Sequence, residues 1–225
     1  MKTRKIYLPF ILVCFLTSCF TGFNLVSGQD GDVGKIKAAE AKRLLAEGNT
    51  RFVSGRTLHP RQDAVRRKEL ANGQHPFAVI LGCSDSRISP EILFDQGLGD
   101  LFVAREAGNI TDEHTIGSIE YAIEHLHVSL VVVLGHEKCG AIAAARDTAV
   151  TAGHIKSIMD ALGPAVKATR GQDAEATCRA NIRNNVVALR TSEPLLKHLA
   201  DRGELLILGA YYELNTGIVT FLDVK

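Results

Sequence analysis

Two uninterrupted apolar runs, Phe77-Ala78-Val79-Ile80-Leu81-Gly82 and Leu130-Val131-Val132-Val133-Leu134-Gly135, constrain the fold more than anything else in the chain. Neither alternates with polar residues, so each reads as a strand buried on both faces, as in a parallel sheet covered by helices. Strands are expected at Phe77–Leu81, Leu101–Ala104, Leu130–Leu134 and Leu205–Leu208, with Ile218–Leu222 as an edge strand. Helical periodicity marks Gly34–Gly55 and Arg61–Asn72 ahead of the first strand, and Asp112–His127, Lys138–Thr148 and Ala174–Thr191 between later ones. This alternation predicts a single α/β domain with a central, mostly parallel four-stranded sheet plus the edge strand, and helices on both faces. With 225 residues, 46% of them hydrophobic, one well-packed domain is the expected size.

Each apolar run ends where chemistry begins. Cys83-Ser84-Asp85-Ser86-Arg87 follows the first, and His136-Glu137-Lys138-Cys139-Gly140 follows the second. Zinc prefers cysteine sulfur and histidine nitrogen in a tetrahedron, and a catalytic site leaves one position to water or substrate. Cys83, His136 and Cys139 supply three ligands at the carboxyl ends of neighbouring strands, the crevice where open α/β sheets hold their ligands. The i, i+3 spacing of His136 and Cys139 suits a first helical turn with both side chains on one face. A structural zinc site would draw four ligands from close-spaced pairs such as C-x-x-C, and the chain has no such pair.

Asp85 can fill the fourth metal position in a closed state or stand off it, and Arg87 decides between the two. A guanidinium grips a carboxylate through two parallel hydrogen bonds. Pairing with Arg87 would therefore draw Asp85 from the metal, leave room for water, and let Asp85 orient zinc-bound hydroxide.

At these residues the chain resembles the β-class carbonic anhydrases, whose signature is C-x-D-x-R followed by H-x-x-C. The resemblance runs from about Asn49 to Lys225. Asn49-Thr50-Arg51-Phe52 looks like the family's N-terminal helix motif, and Ala107-Gly108-Asn109 like its turn. Gln74, nine residues before Cys83, falls where the family has an active-site glutamine, and Phe102, Ala107 and Tyr121 fall where it lines its substrate cleft. The resemblance implies a lyase with one Zn2+ per subunit that reversibly hydrates carbon dioxide to bicarbonate and a proton by means of zinc-bound hydroxide. It also implies N-terminal helices that pack on a partner subunit, giving a homodimer or a dimer of dimers. Two alternatives share the scaffold: a hydrolase of carbon disulfide or carbonyl sulfide, and a catalytically silent zinc- or bicarbonate-binding protein. Intact Asp85 and Arg87 speak against the silent one. Glu137 stands where many family members carry serine or threonine, and is expected to be a solvated residue. One subgroup has a regulatory bicarbonate pocket that uses a tryptophan; this chain has no tryptophan and is expected to lack the pocket.

The formal net charge of +1 gives no reason to expect nucleic acid. A local basic stretch, Arg51, Arg56, Arg61, Arg66, Arg67 and Lys68, reads as solvated helix faces, some of them facing a partner. Residues 1–28 read as a signal segment: Lys2, Arg4 and Lys5 precede the apolar Ile6-to-Leu16 core. Leu16-Thr17-Ser18-Cys19 resembles a lipobox cut before a lipidated Cys19, and the competing cut lies after Val26-Ser27-Gly28. The expected product is exported, periplasmic or anchored through Cys19, with residues 29–35 as linker and 36–225 as the domain. Cys178 lies alone in a helical stretch and reads as a buried hydrophobe.

Overall fold

The computed structural model describes residues 36–147 and 153–224. The expected signal segment with Cys19, the linker 29–35, and Thr148 at the end of the expected Lys138–Thr148 helix lie outside the described residues. Among the described residues thirteen elements follow one another: α1 (Ala38–Val53), α2 (Ala64–Leu70), β1 (Ala78–Cys83), α3 (Pro90–Leu93), β2 (Leu101–Glu106), α4 (Glu113–Leu126), β3 (Leu130–His136), α5 (Gly140–Arg146), α6 (Ile155–Ala168), α7 (Ala174–Arg190), α8 (Leu195–Asp201), β4 (Leu206–Tyr212) and β5 (Val219–Leu222).

The strands form one five-stranded sheet in the order β2-β1-β3-β4-β5. Its first four strands are parallel, and β5 closes the edge antiparallel to β4. Every residue of β1 and β3 is buried, as their unbroken apolar runs require. One face carries Val79, Leu81, Val131, Val133 and Ile207 against Ile119, Ile142, Leu162, Ile182 and Leu196 of α4 to α8. The other face carries Ala78, Ile80, Val132, Leu134 and Ala210 against Ala41 and Leu45 of α1 and Leu93 of α3. Helices thus cover both faces.

Two expected helix limits include the caps as well as the helix. Asp112 is the N-cap of α4, its carboxylate accepting from the Thr115 amide at 2.7 Å, and His127 is its left-handed C-cap. Three helices are additional to those expected from sequence: α3, α6 and α8.

The basic stretch corrects an expectation. Half of it is tied to the protein itself rather than simply solvated: the Arg51 and Arg66 side chains are only 29% and 17% exposed, and Arg61, at 46%, is exposed yet ion-paired. Arg51 Nε donates to Asp95 at 2.6 Å, Arg61 grips Asp100 through two nitrogens, and Arg66 donates to the Leu98 carbonyl at 3.0 Å. Asp95 and Asp100 are buried, so these arginines neutralise core carboxylates. Burial alone would raise the Asp95 pKa, but Arg51 and the amides of Leu58 and His59 hold it below the usual range. Buried Asn49 also ties the layers together, donating to the carbonyls of Leu93 and Gly217 and accepting from the Val219 amide.

Candidate metal centre

Parallel pairing of β1 and β3 brings the two motifs together. Gly82 pairs with Leu134, so Cys83 and His136, the last residues of their strands, lie one and two positions beyond that pair. The ligand atoms of Cys83, His136 and Cys139 lie within 4.8 Å of one another, and all three residues are buried. No other described group of this kind converges three such atoms.

The turn from β3 into α5 differs from the helical turn expected for His136 and Cys139. His136 is the last residue of β3, Cys139 is the extended N-cap of α5, and Lys138 between them has φ +52°. A left-handed lysine is uncommon in the absence of a constraint. Here it turns out two carbonyls that the site uses. The Glu137 carbonyl sits 2.9 Å from Nδ1 of His136, and the Lys138 carbonyl accepts from Arg87 Nη2 at 3.1 Å.

That first contact assigns the histidine tautomer. A carbonyl only accepts, so Nδ1 carries the proton and Nε2 presents a bare lone pair. Nε2 is buried without a hydrogen-bond partner. An orphaned buried acceptor beside two thiols fits a thiophilic divalent cation, the donor set zinc prefers.

Cys83 Sγ accepts the Gly108 amide at 3.3 Å. Gly108 has φ +77°, which an L-residue rarely adopts, and this conformation carries its N–H onto the sulfur. Donation from Cys139 and from the Gly108 amide pulls the Cys83 thiol well below its usual value despite burial. The Cys83 sulfur and burial push Cys139 the other way. Cys83 is therefore the sulfur that ionises first, as expected when two thiols share one buried site without a cation.

Asp85 is gripped as its spacing implies. Arg87 Nε donates to Oδ1 at 2.9 Å, Nη2 donates to Oδ2 at 2.7 Å, and the Arg87 amide donates to Oδ1 at 3.0 Å. This fork holds the Asp85 carboxyl far below the usual carboxylate range. Its Oδ2 remains 3.9 Å from His136 Nε2.

The expected cleft residues divide. Ala107 lies in the turn whose Gly108 bonds Cys83. Phe102 and Tyr121 pack together, with ring centroids 6.3 Å apart, but Phe102 pairs with Val79 whereas Cys83 pairs with Glu106. Four strand residues, about 13 Å, separate the two positions. Tyr121 is 47% exposed. Gln74 is exposed in the loop before β1, at the end of that strand opposite Cys83.

Three features of the site carry no simple signal in the sequence. Arg105, at the end of β2, donates from Nε to the Cys83 carbonyl at 2.9 Å and from Nη2 to the Asp85 carbonyl at 2.8 Å. Glu137 is less solvated than expected, accepting the Leu214 amide at 3.0 Å and pairing with Lys138 at 3.1 Å. Cys178 is buried, as expected, and its thiol donates to the His136 carbonyl at 3.4 Å. Burial pushes its pKa up to about 12, so it stays a thiol. Gly135 permits this approach: a Cβ there would stand 2.7 Å from Ile182 and 2.9 Å from the Cys178 sulfur.

A carbonic anhydrase family profile matches residues 78–219. The chain is 40% identical over 190 residues to carbonic anhydrase 2 of Mycobacterium tuberculosis, covering 81% of this chain and 92% of that protein. It is also 40% identical over 189 residues to a carbonic anhydrase of Mycolicibacterium smegmatis, covering 80% and 90%. Among solved structures, a tetrameric β-carbonic anhydrase from Sordaria macrospora superposes with a TM-score of 0.63 at 28% identity, over 70% of this chain and 85% of that one.

Proposed function

The chain belongs to the β-carbonic anhydrase family, and from that premise we propose that Cys83, His136 and Cys139 hold one Zn2+ per subunit for the reversible hydration of carbon dioxide. The observation that carries the metal assignment is the bare, buried Nε2 of His136 beside two thiols. Zinc bound by such a set lowers the pKa of water from about 15.7 towards about 7 and so supplies a nucleophile near neutral pH.

The chain's own residues do the rest. The Glu137 carbonyl fixes the His136 tautomer, and the Gly108 amide supports the Cys83 thiolate. Arg87 keeps Asp85 ionised and turned from the ligands, which leaves the fourth position to solvent and gives it an acceptor. An Asp85 oxygen facing that position takes a hydrogen bond from the attacking oxygen and aims its lone pair at the substrate carbon. Hydrolysis of carbon disulfide or carbonyl sulfide is the less favoured use of this site, because the relatives are carbonic anhydrases.

Two thiolates cancel the formal charge of the cation, so water here is acidified less than by three neutral histidines. Activity is expected to rise from neutral to alkaline pH. Asp85 does not produce that limb: its pKa is depressed, so it is ionised throughout the range. A kcat/KM profile for carbon dioxide hydration checks this, and a monotonic fall from pH 7 to pH 9 contradicts it.

A homodimer, or a dimer of dimers, gives Gln74, Phe102 and Tyr121 a role. Gln74 and Phe102 lie away from their own subunit's metal triangle and Tyr121 packs on Phe102, so as cleft residues they serve a partner's site. Exposed Leu58, Val65, Ile92 and Leu98 near the N-terminal helices supply apolar surface for that contact. Export rests on the Lys2, Arg4 and Lys5 leader with its apolar core, and membrane attachment on a lipidated Cys19. Fatty-acid labelling in a bacterial host is expected to mark the native chain and not Cys19→Ala; equal labelling of both would contradict attachment there.

A further inference from the structure

Asp85 is poised between two partners. Its Oδ2 lies 3.9 Å from His136 Nε2, so a small movement of its loop carries it to the metal triangle. The residue opposing that movement, Arg87, has a side chain 49% exposed. Its fork grips the Asp85 carboxylate, whose side chain is only 15% exposed, but does not by itself fix the backbone that carries it. Beyond Cys83 the β1 ladder has ended, and the Ser84 amide reaches Glu106 only at 3.3 Å. The backbone of the loop therefore needs another anchor.

Arg105 provides one. Its Nε and Nη2 bond the carbonyls of Cys83 and Asp85, the two residues flanking Ser84. A guanidinium holds its donors in a fixed planar fork, so these two bonds set the spacing and orientation of both carbonyls. The Asp85 carbonyl also accepts from the Ile88 amide at 3.0 Å, which closes the turn after it. Fixing that backbone fixes the direction in which the Asp85 side chain leaves it.

We propose that Arg105 is a positioning residue that keeps Asp85 on Arg87 and off the metal, so that the fourth position stays open. The proposal rests on the reading that Cys83, His136 and Cys139 bind a divalent cation. Without Arg105 the loop relaxes, and the carboxylate moves to the cation, a stronger partner than an exposed guanidinium. The closed arrangement, with Asp85 as fourth ligand, then becomes the resting one.

Azide binding to the full chain loaded with cobalt(II) tests this through the visible cobalt bands, because a small anion enters only an open position. Arg105→Ala is expected to bind one cobalt per subunit but to bind azide about tenfold more weakly than the native chain. Arg105→Lys, which reaches one carbonyl without the fork, falls between. In an Asp85→Ala background no carboxylate competes, so Arg105→Ala no longer changes the azide affinity. Native azide affinity in Arg105→Ala overturns the proposal, and so does an equal loss in the presence and absence of Asp85. If Arg105→Ala does not fold, the same cycle with Arg105→Lys decides the question. Failure of the native chain to bind cobalt or zinc would instead contradict the metal assignment itself.

Discussion

Cys83→Ser is expected to lose the bound metal and, with it, carbon dioxide hydration by roughly a thousandfold or more, a modest share of what enzymes contribute over water. Serine matches the side chain in size but stays protonated near neutral pH, and a zinc ligand must be deprotonated to bind. Cys83 is also the sulfur that its surroundings select for ionisation, through Cys139 and the Gly108 amide. Without the thiolate only His136 and Cys139 remain as ligands. The fold should persist, because the two packed faces of the sheet draw most of their apolar residues from elsewhere. Metal content after desalting, with circular dichroism and turnover on the same sample, checks all three. Native zinc stoichiometry together with native turnover would remove Cys83 from the metal site.

Asp85→Asn has a different expected signature: zinc stays, and kcat falls by about 10- to 100-fold, the usual cost of losing a group that supports a metal site. Asparagine keeps the shape but loses the charge, and its amide nitrogen repels one arm of the Arg87 fork that now bonds both carboxylate oxygens. The attacking oxygen then loses its acceptor. Separate titration of zinc content and kcat distinguishes this from Cys83→Ser. An Asp85→Asn variant with native kcat, or one that loses zinc, contradicts the role given to the carboxylate.

Much of this was legible in the sequence because the relevant signals are local. Unbroken apolar runs gave β1 and β3, and short spacings gave the ligands and the Asp85–Arg87 pair. Less local features were hidden. Helix α6 carries Gly163-Pro164 in its interior, a pair that reads as a helix end although packing of Leu162 and Ala165 sustains the helix through it. Helices α3 and α8 are too short for periodicity to register. The His136-to-Cys139 spacing looked helical because i, i+3 also fits a turn, and only the left-handed Lys138 separates the two. Arg105 contacts backbone carbonyls far away in sequence, which no motif encodes. The ion pairs of Arg51 and Arg61 were hidden because their partners, Asp95 and Asp100, come from the segment between β1 and β2.

The central claim is that this buried Cys–His–Cys triangle holds a zinc ion with a position open for catalysis. Stopped-flow carbon dioxide hydration on purified protein, with zinc measured on the same sample before and after chelation, tests it most directly. The expected result is one zinc per subunit, with hydration that disappears on chelation and returns in proportion to zinc restored. Stoichiometric zinc with no hydration from pH 7 to pH 9, or full hydration after the metal is stripped, would contradict it.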